Sequence, residues 1–132
     1  MESKPYDLFL DDLREVDWVF PPSQMTLSCK GQKVYERKDW NWVICRNFDE
    51  AVKTVNRLGC PRMISLDHDL GLECEKTGKD FLNWLIEQDL DGVLDLSKVE
   101  RFTSHSANVA GRDNILKLWS NFMESKYGYQ FI

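Results

Sequence analysis

An α/β fold, built on a mainly parallel sheet with helices on both faces, is what this sequence predicts. Short apolar runs rich in β-branched and aromatic residues alternate with stretches whose apolar residues recur at helical spacing. Strands and helices alternating at this length pack as a parallel sheet covered by its crossovers. The 132 residues read as a single domain over 1–132, and 42% hydrophobic with 12% aromatic residues is enough for one core. No internal repeat, low-complexity tract or linker interrupts the pattern.

Taken in order, "YDLFL" (6–10) is short and apolar and stops at "DDLR", which marks a first strand. "WNWVICRN" (40–47) is a second, and "NFDEAVKTVNRLG" follows it with Asn47 as N-cap and Glu50 three residues on. Phe48, Val52, Val55 and Leu58 then recur at helical spacing until Gly59 ends the helix. "RMISLDHDLG" (62–71) supplies the third strand. Thr77 caps "GKDFLNWLIEQ", where Phe81, Leu82, Leu85 and Ile86 form one stripe of a helix ending near Asp89. "RFTSHSAN" (101–108) is the fourth strand, followed by a helix over about 110–124 that carries Ile115, Leu118, Trp119 and Phe122. Parallel pairing is expected near 6–10, 42–46, 63–66 and 101–104. Residues 15–39 break the rhythm: Pro21 and Pro22 exclude a helix, and "MTLSCKGQKVYER" reads as an inserted hairpin around Lys30-Gly31, a surface excursion or a lid. The tail "YGYQFI" reads as a last short strand or a core plug.

Composition removes several function classes. Twenty-two acidic against 17 basic residues give a formal charge of −5, which argues against a broad grip on duplex DNA or RNA. "MESKPYDLFLDD" lacks the features of a signal peptide and no stretch is apolar enough to span a bilayer, so a cytoplasmic protein with no membrane partner is expected. Cys29, Cys45, Cys60 and Cys74 form no CxxC pair, which leaves free thiols as the expectation.

Chemistry-bearing residues collect where the strands end. Asp11, Asp12 and Arg14 follow the first strand, Asp67, His68 and Asp69 the third, and Ser104, His105, Ser106 and Asn108 end the fourth. Both histidines of the chain are among them. Open parallel sheets bind ligands beyond the carboxyl ends of their strands, where the loops converge. A strand-end acid commonly just caps a turn and a lone histidine is commonly structural, but three such clusters on one sheet edge point to a shared site. Asp11, Asp12 and Asp67 brought together repel one another unless a divalent cation sits between them, and oxygen ligands suit Mg²⁺ or Mn²⁺. With His68 and His105 added, Mn²⁺, Fe²⁺ or Zn²⁺ also fit. The same histidines titrate near neutrality and suit general acid–base work. "SANVAGR" adds a helix N-terminus and Arg112, a combination that favours a phosphate group.

With "LFLDDLR", "ISLDHDLG", "TGKDFLNWL" and "SHSANVAGR" in place, the chain resembles the cyclic-phosphate processing receiver-like domains, a branch of the response-regulator receiver fold. The resemblance implies a flavodoxin/receiver-like sheet of order 2-1-3-4 and processing of cyclic phosphates on RNA ends or nucleotides. By similarity, Asp11 and Asp12 match the acidic pair, Asp67 the receiver phosphoacceptor, and His68, His105 and Asn108 the additions peculiar to this branch. The first receiver helix is replaced by the proline-containing insertion and no strand-end lysine follows a fifth strand, which argues against phosphorelay signalling.

The expected activity is therefore a metal-assisted phosphoesterase acting on a cyclic phosphate. Asp11, Asp12 and Asp67 hold the ion; His68, His105 and Asp67 do the chemistry; Arg14, Ser104, Ser106, Asn108 and Arg112 bind the substrate. The rival expectation is a non-enzymatic receiver-like module, of the kind a phage or mobile element carries, that sequesters a nucleotide or blocks a host protein. A patch formed by Trp18, Phe20 or Tyr35 in the 15–39 insertion would favour the rival through a protein partner.

Overall fold

The computed structural model describes residues 5–19, 26–27, 33–34, 40–71 and 75–128. In chain order the elements are β1 (Asp7–Leu10), a single turn α1 (Val16–Val19), β2 (Thr26–Leu27), β3 (Lys33–Val34), β4 (Trp42–Cys45), α2 (Phe48–Leu58), β5 (Met63–Leu66), α3 (Gly78–Leu90), a 3-10 turn (Leu96–Lys98), β6 (Arg101–Ser104) and α4 (Val109–Tyr127).

Four strands make one all-parallel sheet in the order β4-β1-β5-β6. That is the order 2-1-3-4 expected of the four strands read from the sequence, and it defines a receiver-like α/β fold. The two inner strands β1 and β5 are buried along their whole length, whereas the outer strands are only partly so. Central parallel strands are covered on both faces and for that reason read as unbroken apolar runs.

Side chains alternate across a strand. Leu8, Leu10, Ile64 and Leu66 join Ala51, Val55, Phe81, Leu82, Leu85, Ile115, Trp119 and Met123 from α2, α3 and α4 in one core cluster. On the opposite face, Phe9 meets Trp42 edge to face with ring centroids 6.0 Å apart. Along the sheet α2 packs on β4, β1 and α3, and α4 packs on α3 and β6.

The helix boundaries follow from their caps. Asn47 accepts from the Glu50 amide, and Thr77 forms a capping box with Asp80. The last helix runs to Tyr127 rather than to about 124, because its end is tied down. Lys126 pairs with the buried Asp89 and the Tyr127 hydroxyl donates to Asp89 Oδ2 at 2.7 Å, while Gly128 takes the left-handed conformation (φ 72°) that closes a helix. Sequence periodicity carries no trace of that tertiary tie. The 3-10 turn and α1 are likewise too short to announce themselves.

β2 and β3 pair antiparallel, with Thr26 opposite Val34 and Leu27 opposite Lys33, in keeping with the inserted hairpin. The remainder of 20–39, including Phe20, Lys30, Gly31 and Tyr35, lies outside the described residues, as do the Trp18 side chain and the end of the aromatic tail at 129–132. Cys45 and Cys60 are free thiols, and Cys29 and Cys74 lie outside the described residues. Among the described residues, no helix is long and apolar enough to cross a membrane.

Candidate functional site

Strand register assembles the site. Leu10 pairs with Leu66 and Leu66 with Ser104, so the next residue on each of three neighbouring strands is Asp11, Asp67 and His105. Backbone bonds carry the ladder one step further, from the Asp67 amide to Leu10 O at 2.8 Å and from the His105 amide to Leu66 O at 3.0 Å. The three side chains thus stand abreast at the carboxyl edge, each offering one donor atom within 4.8 Å of the others.

Asp11 is almost wholly buried and fully engaged. Its Oδ1 accepts from the amides of Leu13 and Arg14, both at 2.8 Å, and its Oδ2 lies 2.8 Å from His105 Nε2. Burial pushes this carboxyl up, but the two amides and the His105 ring outweigh it and hold Asp11 below the usual carboxylate range. Asp67 goes the other way. Burial and then the Asp11 charge raise its carboxyl above the usual range, and hydrogen bonding from Ser106 offsets this only in part. Burial likewise holds the His105 ring below the ordinary imidazole range, against the pull of Asp11. The cluster therefore sets a carboxyl held low beside a carboxyl held high, next to an imidazole whose charged form burial disfavours.

A cleft of about 570 Å³ opens over this edge, within the size range of small-molecule sites. Of the residues expected from the sequence, Asp11, Asp12, Arg14, Asp67, Ser106 and Asn108 line it, together with Asp69. Leu13, Leu70, Gly71, Thr77 and Ala107 complete the lining. Two glycines permit close approaches. A Cβ on Gly78 would lie 1.9 Å from the Asp67 carbonyl oxygen, and one on Gly71, whose φ is +96°, would lie 3.2 Å from Asp12 Oδ2.

The contiguous "DHD" does not act as one block. Successive side chains of extended backbone point to opposite sides. Asp67 turns to the cleft, whereas His68 turns to α4, where a Cβ on Gly111 would come within 2.5 Å of its Cγ. His68 Nδ1 bonds Asp69 Oδ1 at 2.9 Å, and Asp69 Oδ2 accepts from Asn108 Nδ2 at 3.2 Å. These two bonds hold Asp69 below the usual carboxylate range and strap the loop after β5 to the start of α4. Asn108 also caps that helix by accepting from the Gly111 amide at 3.0 Å.

Ser104 and Arg112 stand back from the cleft, and Arg14 is tied down at its edge. Ser104 is buried and donates to Leu66 O at 2.8 Å, which ties β6 to β5. Arg112 is half exposed, with Nε 3.7 Å from Asp113. Arg14 lines the cleft while its guanidinium donates to His105 O at 2.8 Å, fastening the first loop to the last.

Two contributors escaped the sequence reading. Arg46 donates to Arg14 O at 2.7 Å and to Asp11 O at 3.2 Å, bracing the turn that presents Asp11. Ser65, fully buried inside β5, lies 2.7 Å from His105 Nδ1. Its only signal in the sequence is a hydroxyl between Ile64 and Leu66 in an otherwise apolar strand.

An all-parallel 2-1-3-4 sheet with an acidic cluster at its carboxyl edge defines a receiver-like domain. A family model, the cyclic-phosphate processing Receiver domain, matches residues 6–121, and the chain belongs to that family. No curated protein and no solved structure matches the chain.

Proposed function

We propose that the protein is a metal-assisted phosphoesterase that opens a cyclic phosphate, either a 2′,3′-cyclic phosphate at an RNA end or a cyclic nucleotide. The observation that carries this reading is the triad of Asp11, Asp67 and His105, delivered by three adjacent strands to within 4.8 Å of one another beneath the cleft. Membership of a cyclic-phosphate processing family supports the same substrate class.

The donor set fits a divalent cation. Two carboxylates meet an imidazole, and the Asp67 carboxyl is raised first by burial and then by the Asp11 charge, a repulsion that a cation would relieve. Asp11 and Asp67, with the exposed Asp12 at the rim, would hold Mg²⁺ or Mn²⁺. Such an ion supplies positive charge to polarise the phosphoryl oxygens.

The chain's own groups supply the rest. Arg14, Ser106 and Asn108 bind the phosphate, next to the start of α4 with its positive dipole end. Hydrolysis adds a water oxygen to phosphorus and breaks one ring P–O bond. The water proton passes to a base, and the departing ribose oxygen takes up a proton. His68, with 20% of its side chain exposed and bonded to the cleft residue Asp69, serves these transfers, whereas His105, whose Nε2 faces Asp11 from beneath, would complete the donor set for the cation.

Turnover of a panel of cyclic nucleotides and cyclic-phosphate RNA ends, with and without divalent ions, tests the reading. Release of a phosphomonoester that requires the ion is expected. Binding with the ligand returned chemically unchanged would leave the domain a sequestering module instead.

A further inference from the structure

We propose that Ser65 is the positioning residue of the site, fixing the His105 ring and accommodating either of its neutral tautomers as Nε2 exchanges between Asp11 and a bound cation. The inference rests on the reading of Asp11, Asp67 and His105 as the functional cluster. It reaches beyond that reading to a residue with no access to the cleft.

The geometry constrains the ring three times. Nε2 lies 2.8 Å from Asp11 Oδ2, Nδ1 lies 2.7 Å from Ser65 Oγ, and the ring stacks on Phe9 with centroids 4.5 Å apart and planes 3° apart. Nothing in packing alone calls for a hydroxyl at position 65. Its neighbours on β5 are Ile64 and Leu66, and Ser65 is completely buried.

Proton accounting gives the hydroxyl its role. Asp11 is acceptor-only, so a neutral His105 carries its proton on Nε2 and leaves Nδ1 as a lone pair, to which Ser65 donates. Were His105 to join Asp11 and Asp67 in holding a cation, its Nε2 would give up its lone pair. The ring proton must then sit on Nδ1, where it needs an acceptor. A serine hydroxyl supplies both functions by rotating about its C–O bond, with no other atom displaced. Alanine supplies neither, and a carboxylate could only accept. Histidines that bind metals characteristically have their second ring nitrogen held in this way, and loss of that partner weakens metal affinity by about 10–100-fold.

The test reads the ring directly. The chain has two histidines, so the His68→Gln variant leaves His105 as the sole imidazole, and its nitrogens are assigned by long-range ¹H–¹⁵N correlation without ambiguity. The metal-free protein should show the Nε2–H tautomer, and saturation with Zn²⁺, a diamagnetic probe, should convert it to Nδ1–H. Adding Ser65→Ala should shift the Nδ1 resonance in the metal-free state and weaken Zn²⁺ binding, read at His105, by roughly 10–100-fold. Ser65→Thr, which keeps the hydroxyl, should restore both; it also decides the question if the alanine variant fails to fold. An Nδ1–H tautomer without metal, Nε2–H retained with Zn²⁺, no Zn²⁺ response at His105, or wild-type affinity in Ser65→Ala would each overturn the proposal. A wild type with no cyclic-phosphate turnover would defeat the phosphoesterase reading while leaving these spectra decisive for Ser65.

Discussion

The α-carbon of Gly78 sits so close to the end of β5 that a Cβ there would lie 1.9 Å from the Asp67 carbonyl oxygen, and the Gly78 amide donates to His68 O at 2.9 Å. The first turn of α3 is thereby seated on the backbone that presents Asp67. Gly78→Ala should cost about 1–3 kcal/mol as that backbone is forced aside, although alanine is the better helix former. Urea unfolding of the two proteins checks this, and equal midpoints would show that the contact is not tight.

Asp67 should respond to charge removal in opposite ways with and without metal. Its carboxyl is raised by burial and by Asp11, so the negative charge is unfavourable in the metal-free fold. Asp67→Asn should therefore raise the melting temperature of the metal-free protein. Millimolar Mg²⁺ or Mn²⁺ should stabilise the wild type, by about 2.7 kcal/mol at a hundred times Kd, and should leave the variant unmoved. A wild type indifferent to both ions would remove the proposed role of the carboxylates.

Asp89 sets an acid-side limit to stability. Burial pushes its carboxyl up, but Lys126, the Tyr127 hydroxyl and the Leu96 amide outweigh burial and hold it below its ordinary value of 3.8. A depressed folded value means that its stabilisation is complete above pH 3.8 and is lost as pH falls through the lower, folded value. Asp89→Asn should flatten this part of the stability–pH curve while lowering stability at pH 7, as chemical denaturation across pH 2–7 would reveal. An unchanged slope would mean that other carboxylates dominate acid unfolding.

Gly111 offers a test of the strap between the β5 loop and α4. Exchanging an exposed helix glycine for alanine ordinarily gains about 1 kcal/mol, yet a Cβ here would press on His68 at 2.5 Å from Cγ. Gly111→Ala should swing His68 away from Asp69, and its turnover should fall in the same direction as that of His68→Gln. General acid–base catalysis is worth about 10²–10⁴-fold, so His68→Gln should lose rate on that scale and keep most of its ligand affinity. Full turnover in both variants would take His68 out of the proposed chemistry.

Much of this arrangement is legible in the sequence, for identifiable reasons. Apolar runs that stop abruptly at Asp11 and Asp67, and the shorter mixed run that stops at His105, locate the strand ends, and parallel pairing then brings those ends to one edge. What composition and spacing do not carry is direction. The division of "DHD" between the cleft and α4 depends on which way each side chain leaves the backbone, and His68 is placed by a glycine 43 positions further on, a pairing with no local signature. Ser65 and Arg46 are silent for a related reason: a hydroxyl in a strand and an arginine before a helix become meaningful only when partners from distant segments arrive. The tie from Asp89 to Lys126 and Tyr127, which extends α4, is of the same kind.

Asp11 and His105 are 94 residues apart in the chain, and the site lies only one residue beyond the strands that carry it. Its assembly therefore waits on the slowest events of folding, the closure of long loops and the pairing of β1, β5 and β6 in correct register. A slip of a single residue in either of the two pairings would turn the relevant side chain to the other face. A nascent chain that has not yet emerged as far as β6 holds Asp11 and Asp67 without their imidazole, so the three-residue cluster exists only once the sheet is complete.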